Sequence, residues 1–258
     1  MKWFASVLVC AVACGGVAAH AGEITVAAAS DLSFALKEAA DRFERETGTR
    51  VKVTLGSSGN LFSQIQNGAP FDAYFSADIR YPQKLEESGQ AVPGSLYQYA
   101  IGRLVLWVPN RPGLPSPQQG LRMLLEDPIR KVAIANPKHA PYGRAAVAAL
   151  QRAGIYEAVK DKLVLGENIS QAAQFVESGA ADAGLIALSL AMVPAMQQAG
   201  RYWEVPQEAH PPIMQGAAVL KNGTNREGAQ AFFSFLQRRE GREILRRYGF
   251  VLPDAVRP

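Results

Sequence analysis

Short apolar runs alternate with amphipathic runs along almost the whole chain, and each pair has the length of a strand followed by a helix. The helical runs end at glycines such as Gly48 and Gly154, which commonly terminate helices. The pattern predicts strands at residues 23–29, 51–55, 71–77, 103–108, 131–137 and 183–188, and one in the segment "LVLGENIS" that leads into the helix at 169. Helices are predicted at residues 32–47, 61–67, around 85, 142–153, 169–176 and 189–200. This alternation is typical of an α/β protein whose parallel sheets carry helices on both faces.

Polar residues gather where four of these strands lead into helices. The junctions are Ser30-Asp31, Ser57-Ser58, Pro141-Tyr142 and Asn168-Ile169. Ligands of such sheets bind outside the carboxyl ends of the strands, where the first turn of each helix offers N–H groups without partners. These neutral donors predict a site for an anion held without a counter-charge, and they favour a tetrahedral oxyanion that has no proton to give. Asp31 could accept a hydrogen bond from a protonated anion only if its carboxylate, rather than its amide, turned inward.

The same residues have a simpler interpretation. Serine is among the best helix N-caps, "GSSGN" is a common turn composition, and Pro141 is ordinary at a helix start. Residue chemistry alone therefore leaves open whether the two serines bind a ligand or only cap helices.

The first 21 residues have the composition of a secretory signal peptide. Lys2 supplies the positive start, residues 4–13 the apolar stretch, and the small residues before Gly22 a cleavage site after Ala21. Both cysteines, Cys10 and Cys14, lie in this segment, so the exported chain is predicted to contain no disulfide and no thiolate ligand. Cleavage before Cys14, leaving a lipid-anchored cysteine, is the second interpretation.

The remaining composition excludes several other functions. Removal of Lys2 lowers the formal net charge from +4 to +3, which favours neither nucleic acid nor a membrane surface as partner. The basic run at residues 238–247 carries two adjacent apolar residues and predicts a solvated helix face. His139 and His210 lack the spacing of a zinc site, and no serine lies in a G-x-S-x-G turn.

Four segments, in order, carry a resemblance to a known family. They are "ITVAAASDL", "GSSGNLFSQIQNGAPFDAYFSAD", "NPKHAPYGRAAVAAL" and "ILRRYGFVLP", and they cover the chain from Ile24 to about Leu252. Together they resemble the molybdate-binding proteins of periplasmic molybdate ABC transporters, the ModA family.

The resemblance implies an α/β, two-lobed periplasmic binding protein of type II, in which each lobe is a sheet flanked by helices and the ligand lies in the cleft between them. Lobe 1 would comprise residues 22–101 and 214–258, and lobe 2 residues 102–213. It further implies a monomeric periplasmic protein that is not an enzyme, has no cofactor, and delivers molybdate or tungstate to the membrane permease of a molybdate ABC transporter.

The family pattern also implies which residues contact the oxyanion. They are Ser30, Asp31 through its amide, Ser58, Tyr142 and Ile169. Ser30, Ser58, Tyr142 and Ile169 would hold molybdenum only as molybdate, through its oxygens. Some members place a tyrosine where this chain has Ala187, and others place it at the Tyr142 position, as here. We expect the Tyr142 amide to be the main contact.

Two alternatives remain at this stage. A binding protein for sulfate, phosphate or an organic anion would share the fold and the export signal. An exported serine hydrolase would need a base near Ser30 or Ser58, and the sequence does not identify one.

Overall fold

The structure is a computed structural model that describes residues 22–253. The predicted signal peptide, its cleavage after Ala21 and the alternative anchor at Cys14 lie outside the described residues. Within residues 22–253, no helix is both long enough and apolar enough to cross a membrane.

Strands and helices alternate along most of the chain, as the hydrophobic pattern predicts. The strands Tyr97–Gly102, Gly200–Glu204 and Ile213–Val219 and the helix Arg226–Gln237 were not predicted. The strands are β1 (Glu23–Ala29), β2 (Arg50–Gly56), β3 (Ala73–Ser76), β4 (Tyr97–Gly102), β5 (Leu104–Pro109), β6 (Val132–Ala135), β7 (Leu163–Gly166), β8 (Ala183–Ala187), β9 (Gly200–Glu204) and β10 (Ile213–Val219). The helices are α1 (Ser33–Thr47), α2 (Ser58–Gln66), α3 (Arg80–Glu87), α4 (Pro141–Arg152), α5 (Tyr156–Val159), α6 (Ile169–Glu177), α7 (Leu188–Ala191), α8 (Pro194–Ala199), α9 (Arg226–Gln237) and α10 (Arg239–Arg247).

The strands form two sheets, which are the centres of two lobes. Lobe 1 contains the sheet with the order β2-β1-β3-β10-β4, and lobe 2 the sheet with the order β7-β6-β8-β5-β9. The chain passes between the lobes twice, at Arg103 between β4 and β5, and between β9 and β10. This is the two-lobed α/β architecture that the sequence resemblance implies, while the exact lobe boundaries at residues 101 and 214 stay a prediction.

Each sheet is mixed, whereas the strand–helix alternation predicts parallel sheets. β1 is parallel to β2 and β3, and β6 is parallel to β7 and β8. In contrast, β10 is antiparallel to β3 and β4, and β5 is antiparallel to β8 and β9. The prediction was wrong for these strands because β5 and β10 enter their sheets from the other lobe, so no helix on the same sheet imposes a parallel direction.

The core of lobe 1 joins the two ends of the described chain. The Phe43 ring of α1 packs edge-on against Phe232 of α9 with ring centroids 5.2 Å apart, and Phe75 of β3 lies 5.0 Å from Phe233. Such edge-to-face pairs stabilise a core beyond the area they bury. The basic run predicted as a solvated helix forms α10, whose Ile244 is fully buried in the same core.

The predicted helix at residues 189–200 is divided in two. Val193 between α7 and α8 is extended, with φ −70° and ψ 146°. Because a proline disfavours helical geometry in the residue before it, Pro194 ends one helix and begins the next. The division places α7 directly at the end of β8, on the side that faces lobe 1.

The start of α4 packs unusually close to the end of β6. A Cβ on Gly143 would lie 2.1 Å from the carbonyl oxygen of Ala135, so a side chain at this position would push the helix start away from the strand. The helix start supplies Tyr142 to the cleft, and its position therefore depends on a glycine.

We expect Gly143→Ala to destabilise the protein by about 1 to 3 kcal/mol, because the added methyl overpacks this contact. Helix propensity alone predicts the opposite sign, a gain of about 1 kcal/mol. Chemical unfolding measures the change, with Gln151→Ala at an exposed position of α4 as the control. A Gly143→Ala variant as stable as the wild type would contradict the close contact.

Candidate functional site

The four predicted junctions surround one small cavity between the lobes. Its lining consists of Ala29, Ser30, Asp31, Gly56, Ser57, Ser58, Ala77, Ala140, Pro141, Tyr142 and Ile169. The volume open to the centre of a water-sized sphere is about 10 Å³, about the room that one water molecule needs, so the closed cavity is very small. The structure thus brings together all of the residues predicted to bind, three from lobe 1 and two from lobe 2, although no ligand contact tests their role.

Helix starts aim unpaired amides at this cavity. Ser58 and Ile169 are the first residues of α2 and α6, and Tyr142 follows Pro141 at the start of α4. Their N–H groups precede the first intrahelical hydrogen bonds, and they donate to no other group within the described residues. The partial positive charges of three helix starts therefore lie around the same cavity.

The two predicted serine hydroxyls differ in availability. Ser58 is fully buried, and its Oγ accepts a hydrogen bond from the Ala77 amide at 3.0 Å, which leaves its own proton without an acceptor among residues 22–253. The Ser30 hydroxyl instead donates to Oδ1 of Asn168 at 3.1 Å. Ser30 must turn away from Asn168 to donate to a ligand, and Asn168 would keep its bond from the Gln171 amide.

The cavity carries no cationic side chain. Among the described residues, no lysine, arginine or histidine belongs to its lining. Arg144, which flanks the Tyr142 junction in sequence, forms an ion pair with Asp78 of lobe 1 at 2.7 Å. Burial alone would raise the pKa of Asp78, but hydrogen bonds and charges from Arg80 and Arg144 hold it below its ordinary value. The lining therefore offers neutral donors within the described residues, while their role in binding stays a prediction.

A buried polar cluster, which we call the Gln215 cluster, lies behind the cavity and consists of Asp31, Tyr99, Tyr142 and Gln215. The Gln215 side-chain amide donates to Oδ2 of Asp31 at 2.6 Å and to the Tyr142 hydroxyl at 3.1 Å. Tyr99 donates to Oε1 of Gln215 at 2.7 Å. Sequence reasoning missed Gln215 and Tyr99, and the only local signal is one polar residue inside the apolar run "IMQGAAV".

The Asp31 carboxyl is the one ionisable group in the cavity lining that is both acidic and buried. It is 1 % exposed, and its Oδ1 has no hydrogen-bond partner within the described residues. Burial raises the pKa of Asp31 from 3.8 to about 7, although hydrogen bonds with Gln215 and Tyr142 act in the opposite direction. The Asp31 carboxyl therefore titrates near neutral pH, next to a cavity that is lined by hydrogen-bond donors.

Several hydrogen bonds join the lobes around the rim of the cavity. The Gly59 amide of lobe 1 donates to the His139 carbonyl of lobe 2 at 2.9 Å, and Ser189 donates to the Asp31 carbonyl at 2.8 Å. Asn60 also donates to the Glu167 carboxylate. The lobes are thus closed on the cavity in this structure.

One rim contact has the residue types of a hydrolase triad. Nδ1 of His139 lies 2.8 Å from the Ser57 hydroxyl, and Nε2 of His139 lies 3.8 Å from a carboxylate oxygen of Glu167. The second distance exceeds a hydrogen bond, and the Glu167 side chain is 58 % exposed. Sequence reasoning looked for a base near Ser30 or Ser58 and did not find this pair. Residues 22–253 contain no cluster of three or more histidine, cysteine or acidic side chains that could hold a metal ion.

Comparison with known proteins gives consistent matches over the chain. The sequence profile of the family described as bacterial extracellular solute-binding protein matches residues 24–251. The molybdate-binding protein ModA of Azotobacter vinelandii is 41% identical over 254 residues, which cover 98% of this chain and 100% of that protein. ModA of Rhodobacter capsulatus is also 41% identical, over 90% of each chain. The solved structure of the Azotobacter vinelandii periplasmic molybdate-binding protein superimposes with a TM-score of 0.84 and 36% identity, covering 89% of this chain and 99% of that chain.

The raised pKa of Asp31 predicts a pH-dependent contribution to stability. Between about pH 4 and pH 7, Asp31 keeps its proton in the folded state and loses it in the unfolded state. The free energy of unfolding therefore decreases as the pH rises through this range, and it levels off above the pKa of the folded state. Asparagine cannot titrate. We therefore expect the free energy of unfolding of Asp31→Asn, relative to the wild type, to increase by roughly 2 kcal/mol between pH 5 and pH 8.

Urea unfolding of the ligand-free protein at both pH values measures this difference. Asp41→Asn, which removes an exposed carboxyl bonded to Lys37, controls for the loss of a negative charge. Parallel pH profiles of Asp31→Asn and the wild type would show that the carboxyl does not titrate in this range.

Proposed function

Because the chain belongs to the bacterial extracellular solute-binding protein family, and within it to the molybdate-binding proteins named ModA, we propose that it captures molybdate in the cleft between its lobes. Members of this family are binding components of transport systems and not enzymes. The proposal extends to tungstate, which has nearly the same size and charge. It also includes delivery of the anion to the membrane permease of a molybdate ABC transporter by a monomeric periplasmic protein cleaved after Ala21.

One observation carries the proposal. Within residues 22–253, a small cavity without a cationic side chain is lined by unpaired amides from three helix starts and by the Ser58 hydroxyl, whose proton has no acceptor. An anion stripped of water needs donors on every side, and neither lobe supplies enough of them alone. Ser30, Asp31 and Ser58 would donate from lobe 1, and the amides of Tyr142 and Ile169 from lobe 2. Helix-start amides bind anions well because their dipoles favour negative charge.

The choice of anion rests on size and protonation. Sulfate is a smaller tetrahedron. It could not reach every donor that is placed for molybdate, so some donors would stay without an acceptor. Phosphate carries a proton near neutral pH, and that proton needs an acceptor. The Asp31 carboxyl is the nearest acceptor: its Oδ2 is bonded to Gln215, whereas its Oδ1 has no partner within the described residues. Sulfate and phosphate are therefore the competitors against which the proposal is tested.

Calorimetric titration of the ligand-free protein tests the choice directly. We expect one molybdate or one tungstate to bind per chain. The dissociation constants of sulfate and phosphate should be higher by at least roughly 100-fold. Two buried donors left unpaired would cost about 1 to 3 kcal/mol each, which accounts for a difference of this size. Sulfate or phosphate binding as tightly as molybdate would overturn the assignment of the ligand.

The serine at the start of α2 gives a second test. Ser58→Ala removes a hydroxyl whose proton has no acceptor within the described residues, and we expect it to weaken molybdate binding by about 1.5 to 3 kcal/mol, or roughly 10- to 150-fold. Ser63→Ala is the matched control, since Ser63 lies exposed in the same helix and bonds only the Gly59 carbonyl. Equal dissociation constants for Ser58→Ala and the control would remove Ser58 from the site.

A further inference from the structure

Gln215 is a fully buried polar residue in the middle of an apolar strand, and both ends of its side-chain amide have hydrogen-bond partners. The register of β10 against β4 shifts between Gln215 and Gly216, because Gln215 pairs with Ala100 while Gly216 pairs with Gln98. Tyr99 is therefore the extra residue of a β-bulge. Bulges redirect side chains, and this one places the Tyr99 hydroxyl on the Gln215 carbonyl oxygen.

The hydrogen bonds favour one orientation of the Gln215 amide. In this orientation its oxygen accepts from Tyr99, whose hydroxyl also lies 3.2 Å from the Ser76 carbonyl oxygen, and its nitrogen donates to Asp31 and to the Tyr142 hydroxyl. A flipped amide would set its oxygen against the Asp31 carboxylate whenever that carboxyl is ionised. Gln215 is thus a double donor between a residue of lobe 1 and a residue of lobe 2.

The contact with Tyr142 lies beside the first crossover between the lobes. A Cβ on Gly102, the last residue of β4, would lie 2.2 Å from the Tyr142 hydroxyl and 2.6 Å from Nε2 of Gln215. The chain keeps a glycine where the two side chains of opposite lobes meet. Gln215 itself is absent from the cavity lining within the described residues, so it acts on a ligand only through Asp31 and Tyr142.

From this geometry we infer that Gln215 is a positioning residue that holds the closed arrangement of the lobes and thereby slows release of the bound anion. It bonds the Tyr142 hydroxyl across the cleft, and Tyr142 moves with lobe 2 when the cleft opens. The inference rests on the proposed function, since it names the residue that retains the same anion in the same site. Because the anion enters an open cleft, loss of this bond changes the dissociation rate and not the association rate.

The test uses Gln215→Met, which keeps the side-chain length and removes both donors. It also uses Tyr142→Phe, which removes the Gln215–Tyr142 bond from the other lobe, together with the hydrogen bond between Tyr142 and Asp31, without altering β10. Rapid mixing with molybdate measures both rate constants. We expect the dissociation rate to rise about 5- to 30-fold in each variant, with an unchanged association rate. The double variant should dissociate little faster than either single variant, because the two changes remove one shared bond.

A merely structural role of Gln215 makes different predictions. Thr25→Val is the control for it, because it removes a hydrogen bond to buried Asp72 in lobe 1, away from the cleft. This control should lower the melting temperature and leave the molybdate dissociation rate unchanged. Unchanged dissociation in both Gln215→Met and Tyr142→Phe, or effects that multiply in the double variant, would overturn the inference.

Failure of the proposed function gives a separate result. If wild-type protein does not bind molybdate, the ligand assignment fails, and closure is measured without ligand. Labels at Glu87→Cys in lobe 1 and Gln151→Cys in lobe 2 report the interlobe distance, since both positions are exposed and both native cysteines lie before residue 22. Gln215→Met should then lengthen the mean distance relative to the wild type. An identical distance distribution would overturn the role of Gln215 independently of the ligand.

Discussion

A helix start leaves N–H groups without partners, and burying such a group costs about 1 to 3 kcal/mol unless an acceptor reaches it. The starts of α2, α4 and α6 place theirs around one closed cavity, and this constraint explains most of the architecture. Two of these helices belong to lobe 2 and one to lobe 1, so the amides meet only when the lobes close. A tetrahedral oxyanion carries acceptor oxygens in several directions at once, which is what converging donors from both sides require.

Because the described cavity lining contains no cation, the residues that hold the helix starts in position become important for binding. Without a counter-charge, the binding energy depends on donor geometry, and donor geometry depends on how firmly the helix starts are held. Gly143 allows α4 to pack against β6, and the Gln215 cluster fixes the far end of the Tyr142 side chain. The same cluster holds a carboxyl, Asp31, that burial keeps partly protonated near neutral pH. A fully charged carboxylate there would oppose a bound dianion, so partial neutralisation of Asp31 and anion binding favour each other.

The local features of this fold could be predicted from the sequence, and the contacts between distant segments could not. Strand β1, helix α1 and the stop at Gly48 follow from hydrophobic spacing and from one glycine with a positive φ of 74°. The junction residues could be identified because a strand end and a helix start are both local patterns. The antiparallel direction of β5 was missed because it is set by a crossing between the lobes, and β10 was not predicted as a strand. Gln215 was missed because its partner Asp31 lies 184 residues away in the sequence.

The contact between Ser57 and His139 shows why residue types alone do not define an activity. A nucleophile needs a base that is itself oriented by a third group, and Glu167 is too far from Nε2 and too exposed to orient the His139 ring. The neighbouring Gly59 amide also bonds the His139 carbonyl, so both bonds join the same two segments of opposite lobes. A Cβ on Gly59 would lie 2.8 Å from that carbonyl oxygen, which shows how closely the lobes approach there. Ser57 and His139 therefore form part of the rim that joins the two lobes, and they lack the geometry of a hydrolase triad.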